Sequence, residues 1–205
     1  MPFLAFEGLD GSGKSTLIQA LNRELSRRSK SVVVTREPGG TPLGESIRQL
    51  LLAVGPHPPR PRAELLLYQA SRAQLVEDVI RPAAERGQWI LCDRYYSSTL
   101  AFQCGGRHLQ ESEVRPLIDF AIAEVEPDLW VLVDLPVAES ERRRGHRSHA
   151  DRFEREARDF HERVRSHYLE QSKRQPNRWL VLDGMKTPDE LQKILLLELQ
   201  NRGWL

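Results

Sequence analysis

Gly8-Leu9-Asp10-Gly11-Ser12-Gly13-Lys14-Ser15-Thr16 is the stretch on which the fold turns. It comes directly after the short apolar run Phe3 to Phe6. It opens a segment, Thr16 to Leu25, in which Leu17, Leu21 and Leu25 recur at helical spacing. A G-x-x-x-x-G-K-[ST] pattern between a strand and a helix is a phosphate cradle. The glycines let the backbone curl with its N–H groups inward, and the helix N-terminus adds partial positive charge. Lys14 is of a length to reach the β- and γ-phosphates, and Ser15 carries a hydroxyl suited to Mg²⁺. A merely flexible glycine turn leaves Lys14 and Ser15 unexplained.

Working outward, four more apolar runs read as strands buried on both faces: Val32 to Thr35, Trp89 to Cys92, Leu129 to Val133 and Trp179 to Leu182. Between them helical spacing predicts helices over Glu45 to Leu52, Ala63 to Ile80, Glu111 to Val125, Arg152 to Gln171 and Pro188 to Gln200. Strand and helix alternate, which implies an α/β fold with a mostly parallel sheet, helices on both faces, and ligand-binding loops at the carboxyl ends of the strands. Pro56-His-Pro-Pro-Arg-Pro61 reads as a loop between two helices, because helical pattern resumes on both sides. Arg142-Arg-Arg-Gly-His-Arg-Ser-His-Ala150, basic and poor in apolar residues, reads as a mobile loop.

Composition narrows the function. A chain of 205 residues, 40% hydrophobic and 29% charged, is long enough for a core without disulfides and too apolar for disorder. Thirty Lys and Arg against 29 Asp and Glu leave a net charge of +1, so neither nucleic acid nor an anionic membrane is expected as a bulk-charge partner. No apolar stretch approaches the roughly 18 residues of a membrane span. Two cysteines, Cys92 and Cys104, and no secretory apolar run point to the reducing cytoplasm. Cys92 falls within a strand and reads as an inert buried thiol. His146 and His149 lack the partners of a metal site.

The residues after the third strand bear on chemistry. Asp93-Arg94 sits at a strand end, where the acid belongs near magnesium and the arginine projects toward the phosphates; a structural ion pair capping the strand is the plainer alternative. Guanine-reading GTPases carry Asn-Lys-x-Asp after a late strand, and Asp183-Gly-Met-Lys186 does not fit that pattern. Tyr68 and Arg72 lie one helical turn apart and share a face; Tyr68 taken alone also suits a core position.

Phe6-Glu-Gly-Leu-Asp-Gly-Ser-Gly-Lys-Ser-Thr16, Thr35-Arg-Glu-Pro-Gly-Gly-Thr41, Ser71-Arg-Ala73, Asp93-Arg-Tyr-Tyr-Ser-Ser-Thr-Leu-Ala-Phe-Gln103 and Asp151-Arg-Phe-Glu154 together resemble the thymidylate kinase family over nearly the whole chain. The resemblance implies a P-loop nucleoside monophosphate kinase fold with a five-stranded parallel sheet, residues 1–205 as one domain with a lid at about 142–152, and usually a homodimer. It implies transfer of the γ-phosphoryl group of MgATP to dTMP, giving dTDP and ADP. Carried onto this sequence, the base-stacking aromatic falls on Tyr68 and the thymine-facing arginine on Arg72. Thr99 and Gln103 match positions at the pyrimidine edge, and Arg94 matches the acceptor-phosphate arginine. Arg48 matches a further arginine of the acceptor pocket, Glu37 belongs to the loop near phosphate and magnesium, and Asp10 matches a carboxylate near the sugar 3′-hydroxyl. Phe102 stands where many relatives have a tyrosine, so exclusion of ribonucleotides rests on shape alone.

In one branch of the family the P-loop supplies a catalytic arginine, in the other the lid does. Leu9, Asp10, Gly11 and Ser12 include no base, whereas Arg142, Arg143, Arg144, Arg147 and Arg152 crowd the lid, so the chain resembles the lid-arginine branch typical of many bacteria. Arg144 is the best match for the catalytic arginine, with Arg147 its competitor. The expected catalytic set is therefore Lys14, Arg94 and Arg144 or Arg147; residues Gly8 to Thr16 hold the ATP phosphates, and Ser15 with Asp93 holds the metal. Two other functions stay open at this level: a deoxynucleoside kinase using Glu37 as general base on a 5′-hydroxyl, and a non-catalytic ATP-sensing module.

Overall fold

A computed structural model describes residues 1–145 and 151–205. The sheet has five strands: β1 (Phe3–Glu7), β2 (Val32–Arg36), β3 (Trp89–Asp93), β4 (Leu129–Asp134) and β5 (Trp179–Asp183). All pairings are parallel, in the order β2-β3-β1-β4-β5. Each of the predicted strands is present and extends slightly past its apolar run at the carboxyl end, to Glu7, Arg36, Asp93, Asp134 and Asp183. The unbroken apolar runs of the three inner strands, β3, β1 and β4, follow from burial on both faces, while the edge strands β2 and β5 leave Val34 and Val181 exposed. Leu4, Phe6, Leu91, Val131 and Val133 enter one core layer with Leu17, Leu21, Leu195 and Leu199. Phe3, Ala5, Ile90, Trp130 and Leu132 enter the other with Leu75, Ile118, Phe160 and Val164.

α1 (Lys14–Arg27) and α9 (Pro188–Asn201) cover the first face. The opposite face carries α3 (Pro61–Leu75), α6 (Glu111–Ile122) and α8 (Arg158–Arg174). α2 (Pro42–Leu52) packs on α3; residues 53–60 between them are non-helical, as expected of the Pro-rich stretch, whose last residue, Pro61, opens α3. The predicted helix over Ala63 to Ile80 is α3, then a π-helical turn at Val76–Ile80, then α4 (Arg81–Glu85), which Pro82 opens.

Three elements differ from the sequence reading. Tyr96–Thr99 forms α5 and runs into a π-helical stretch, Leu100–Gly106, that periodicity does not mark. Leu100, Ala101, Phe102, Gln103 and Gly106 are all buried, so this segment has no polar stripe to betray a helix. Val137–Arg144 forms α7, so Arg142, Arg143 and Arg144 are helical rather than part of a mobile loop. Only Val137 and Ser140 of α7 are buried, and an apolar pattern that sparse carries no period. The helix predicted from Arg152 begins at Arg158 instead, because the Asp151 carboxylate takes the backbone N–H groups of Phe153 (2.8 Å) and Glu154 (2.9 Å) into a turn. Arg147, His146 and His149 lie outside the described residues.

β1 lies between β3 and β4, so the chain reverses its direction of winding there, and the loops after β1, β2 and β3 converge on one crevice. They carry the P-loop, Glu37 and Asp93-Arg94 respectively.

Candidate active site

The P-loop needs its first glycine for space. A Cβ on Gly8 would collide with the Val133 carbonyl of the adjacent strand, and φ is +135° there. Gly11, at φ +80°, passes under α7, where an added Cβ would lie 3.3 Å from the Ser140 carbonyl. Ser140 secures the same junction by donating its hydroxyl to the Asp10 carbonyl at 2.7 Å. Lys14 opens α1 with its ammonium 3.0 Å from the Gly8 carbonyl and 2.9 Å from that of Leu9. Burial, and then the Arg94 guanidinium, lower its pKa, while Asp93, Asp10 and Glu7 pull the other way. The Leu9 side chain belongs to the core, so that residue offers the cradle its backbone only.

Ser15 and Asp93 meet across the crevice, hydroxyl to carboxylate at 2.9 Å. Both line the same cleft as Lys14 and Thr16. Two oxygen ligands on an open cleft suit Mg²⁺, which takes one or two protein oxygens and completes its shell with water and substrate phosphates. Among the described residues no three His, Cys, Asp or Glu side chains group as a metal cage.

Arg94 comes next in the left-handed region, φ +70°, which turns its side chain back over the P-loop. Its guanidinium donates to Asp10 at 2.7 Å, to the Tyr168 hydroxyl at 3.1 Å and to Ser98 at 3.3 Å. Burial disfavours the cation, yet Asp10, Tyr168, Glu7 and Asp93 together more than offset it, and the Arg94 pKa is raised. Beneath it Glu7, fully buried, accepts from Ser98 (2.6 Å) and Tyr168 (2.9 Å). Burial raises the Glu7 pKa against the pull of Arg94. Glu7, Ser98 and Tyr168 thus form a shelf that holds Arg94, and sequence reasoning passes over all three. The signal that could have found Glu7 is its place in the sequence just before Gly8: a carboxylate at the end of an apolar strand must find donors.

A cavity opens beside Arg94. Asp10, Glu37, Arg48, Tyr68, Arg72, Arg94, Thr99, Phe102 and Gln103, the nine residues expected around the acceptor nucleotide, all line it. Pro38, Leu52, Ser98, Asp151 and Phe153 complete the wall, and the sequence does not single them out. Phe102 meets Phe153, Phe160 and Tyr168 edge to face, with the Arg94 guanidinium 5.3 Å from its ring centre. Arg48 donates to the Pro38 carbonyl at 3.0 Å.

Arg72 is more committed than its sequence position suggests. Its Nε donates to both Glu37 carboxylate oxygens at 3.0 and 2.9 Å, and its Nη2 makes a further short bond to Glu37. Nη1 donates to Gln69 (2.8 Å) and Thr99 (3.0 Å). One N–H, on Nη2, is left for the cavity. Burial pushes the Glu37 carboxyl up to about 7 in spite of Arg72.

The lid arginines separate. Arg142 and Arg143 both pair with Glu139 at 2.7 Å. Arg143 lines the phosphate cleft and also a third cavity, bounded by Ser12, Thr16 and the Met185 to Pro188 loop before α9. Arg144 instead donates to the Glu154 carbonyl at 3.2 Å, with its Nε buried and unpartnered among the described residues. Arg152 is bound to Glu64 at 2.6 Å.

Comparison with known proteins gives this arrangement its family. The family model described as thymidylate kinase matches residues 6–194. The chain is 51% identical to the thymidylate kinase of Bdellovibrio bacteriovorus, over 98% of this chain and 97% of that one. It is 43% identical to that of Pseudomonas syringae, over 97% of each. The crystal structure of thymidylate kinase from Ehrlichia chaffeensis, 30% identical, superposes with a TM-score of 0.78 over 97% of this chain and 98% of that chain. With a P-loop, a cavity beside it and sequence likeness across nearly its full length, the chain belongs to the thymidylate kinase family.

Proposed function

We propose that this chain transfers the γ-phosphoryl group of ATP to dTMP, giving dTDP and ADP, with the donor phosphates on Gly8 to Thr16 and the acceptor nucleotide in the cavity walled by Tyr68, Arg72 and Gln103. The observation that carries this reading is the continuity of the two spaces: Asp10, Glu37, Arg48 and Arg94 line both the phosphate cleft and the acceptor cavity, so two phosphates bound from either side would meet at Arg94. The matches lend no support to a kinase acting on a 5′-hydroxyl or to a non-catalytic ATP sensor.

The acceptor is already an anion, so no general base is needed. Glu37 is free of that duty and serves as the counter-charge of Arg72. The barrier lies in bringing two anionic groups into line and stabilising charge on the transferring phosphoryl group. Lys14 and Arg94 do this from fixed positions, Arg94 because Asp10, Ser98 and Tyr168 hold it before substrate arrives. Mg²⁺, held by Ser15 and Asp93 together with the phosphates, supplies further charge neutralisation when bound. Arg144 or Arg147 contributes from the lid, at about 142–152. For Arg144 this means exchanging the Glu154 carbonyl for phosphate oxygen. Tyr68 stacks on the base, and Thr99 and Gln103 face its edge. The third cavity, against Met185 and Thr187, is on the donor side of the P-loop and takes the purine of ATP.

Residues 1–205 act as one kinase domain. A homodimer follows from the family resemblance, and a cytoplasmic location from two unpaired cysteines. No helix of the described residues is long and apolar enough to cross a membrane. The test is ADP release with MgATP and a panel of acceptors. dTMP should be turned over fastest, with thymidine inert; faster turnover of thymidine than of dTMP would overturn the reading.

A further inference from the structure

Gln103 reaches the acceptor cavity from the π-helical stretch, and what lies behind it is a buried carboxylate. Its amide nitrogen donates to Glu64 at 2.8 Å. Glu64, on α3, has no exposed surface, and it is bound by Arg152 at 2.6 Å and by Arg107 at 3.3 Å. Arg107 is itself shared with Glu156 at 2.6 Å, and Arg152 donates to the Leu51 carbonyl at 3.1 Å. A carboxylate enclosed by two guanidiniums can accept hydrogen bonds and cannot give one. Only the NH₂ end of the Gln103 amide can therefore face Glu64. The amide oxygen is left for the cavity that Gln103 lines.

We propose that Glu64 is a positioning residue for base selection: by holding the Gln103 amide in one of its two nearly isosteric orientations, it makes the cavity-facing group an acceptor and so favours a pyrimidine with a donor at N3 over one with a bare N3. Thymine carries N3–H and cytosine does not. An amide free to turn over could offer its NH₂ to cytosine N3 at little cost, and the selectivity would fade. A site built to hydrogen-bond one partner rejects the other because a buried group is left unpaired, and this rejection lasts only while the group cannot reorient. The inference rests on the reading that the cavity holds the base of dTMP.

The measurement is kcat/KM for dTMP and for dCMP in wild type and in E64Q, E64D, Q103L and the double variant E64Q/Q103L. Glutamine at position 64 can both donate and accept, so E64Q releases the amide. Aspartate keeps the charge that Arg107 and Arg152 need and withdraws the carboxylate by one methylene, which keeps the test available if E64Q fails to fold. The dTMP/dCMP ratio should fall at least about tenfold in E64Q and by a smaller factor in E64D. Adding E64Q to Q103L should leave the ratio unchanged. A purely structural role would lower both kcat/KM values together. An unchanged ratio in either folded variant overturns the role of Glu64, and so does an equal fall in the Q103L background. A wild-type enzyme with no preference between dTMP and dCMP would overturn the assignment of the cavity itself, and the role of Glu64 with it.

Discussion

Lys14 and Arg72 are both buried cations at the site, and the structure gives them different dependences. Lys14 is held by two buried backbone carbonyls and is in no salt bridge among the described residues, so Lys14→Ala removes the proposed phosphate contact without breaking an ion pair. Turnover should be abolished and the thermal midpoint shift little; near-normal turnover in the folded variant would remove Lys14 from the chemistry. Arg72, 1% exposed, is the cation bound to the Glu37 carboxylate. Truncating it strands a buried charge, which typically costs about 3–5 kcal/mol. Arg72→Ala should therefore show its largest effect in urea unfolding, and pairing it with Glu37→Gln should restore part of the loss. If Arg72→Ala unfolds at the wild-type midpoint, the pair contributes nothing and Arg72 acts on substrate alone. Base preference read from Arg72→Ala by itself would mix two effects, which is why the amide of Gln103 is the cleaner probe.

At the scale of the element, α7 decides where its arginines can act. The helix is seated on the P-loop by Ser140, whose hydroxyl is buried against the Asp10 carbonyl, and by the absence of a side chain at Gly11. Ser140→Ala should cost about 1 kcal/mol of stability, the worth of one such bond, and should lower kcat more than it raises KM for dTMP, because the lid arginines would lose their register over the phosphates. A KM effect with unchanged kcat would place α7 in acceptor binding instead. Arg144→Ala should likewise lower kcat with a smaller effect on dTMP binding. Arginines that neutralise a transferring phosphoryl group contribute up to about 10³–10⁵ in rate. Should Arg144→Ala keep its kcat while Arg143→Ala loses it, the acting arginine is the one that already lines the cleft.

Across the whole molecule, α8 brings a titrating group near Arg144 of α7. His161 is buried, its Nε2 has no partner among the described residues, and burial first and the Arg144 charge second lower its pKa below 6.5. The folded protein thus resists a proton that the unfolded chain accepts near 6.5. The stability this confers is complete above that pH and is lost as pH falls through the lower folded value. His161→Gln cannot titrate. The gap in thermal midpoint between wild type and this variant should shrink as pH is lowered from about 8 to about 5, and a gap that stays constant would show that folding does not shift this imidazole.

Chain order, period and residue chemistry carried much of this unaided. Five apolar runs marked five strands: the three inner ones are covered on both faces and so have few polar positions to confuse the pattern, and the edge strands β2 and β5 keep apolar residues even at exposed positions such as Val34 and Val181. Gly8 to Thr16 announced phosphate binding, because a cradle of backbone N–H groups needs glycine, a helix start and Lys14 in consecutive order. The residues proposed for the acceptor were legible only as a family resemblance: Glu37, Tyr68, Arg72 and Gln103 are spread across the chain, and no local spacing connects them all. What tertiary structure alone decided is which groups face one another. It gave Arg72 to Glu37, the Gln103 amide to Glu64, Arg94 to a shelf of Glu7, Ser98 and Tyr168, and the turn at Asp151 to a stretch whose spacing suggested helix. The first three are long-range pairings imposed by burial, since a polar group removed from water must take whichever partner the fold brings within about 3 Å, and sequence separation carries no trace of that choice.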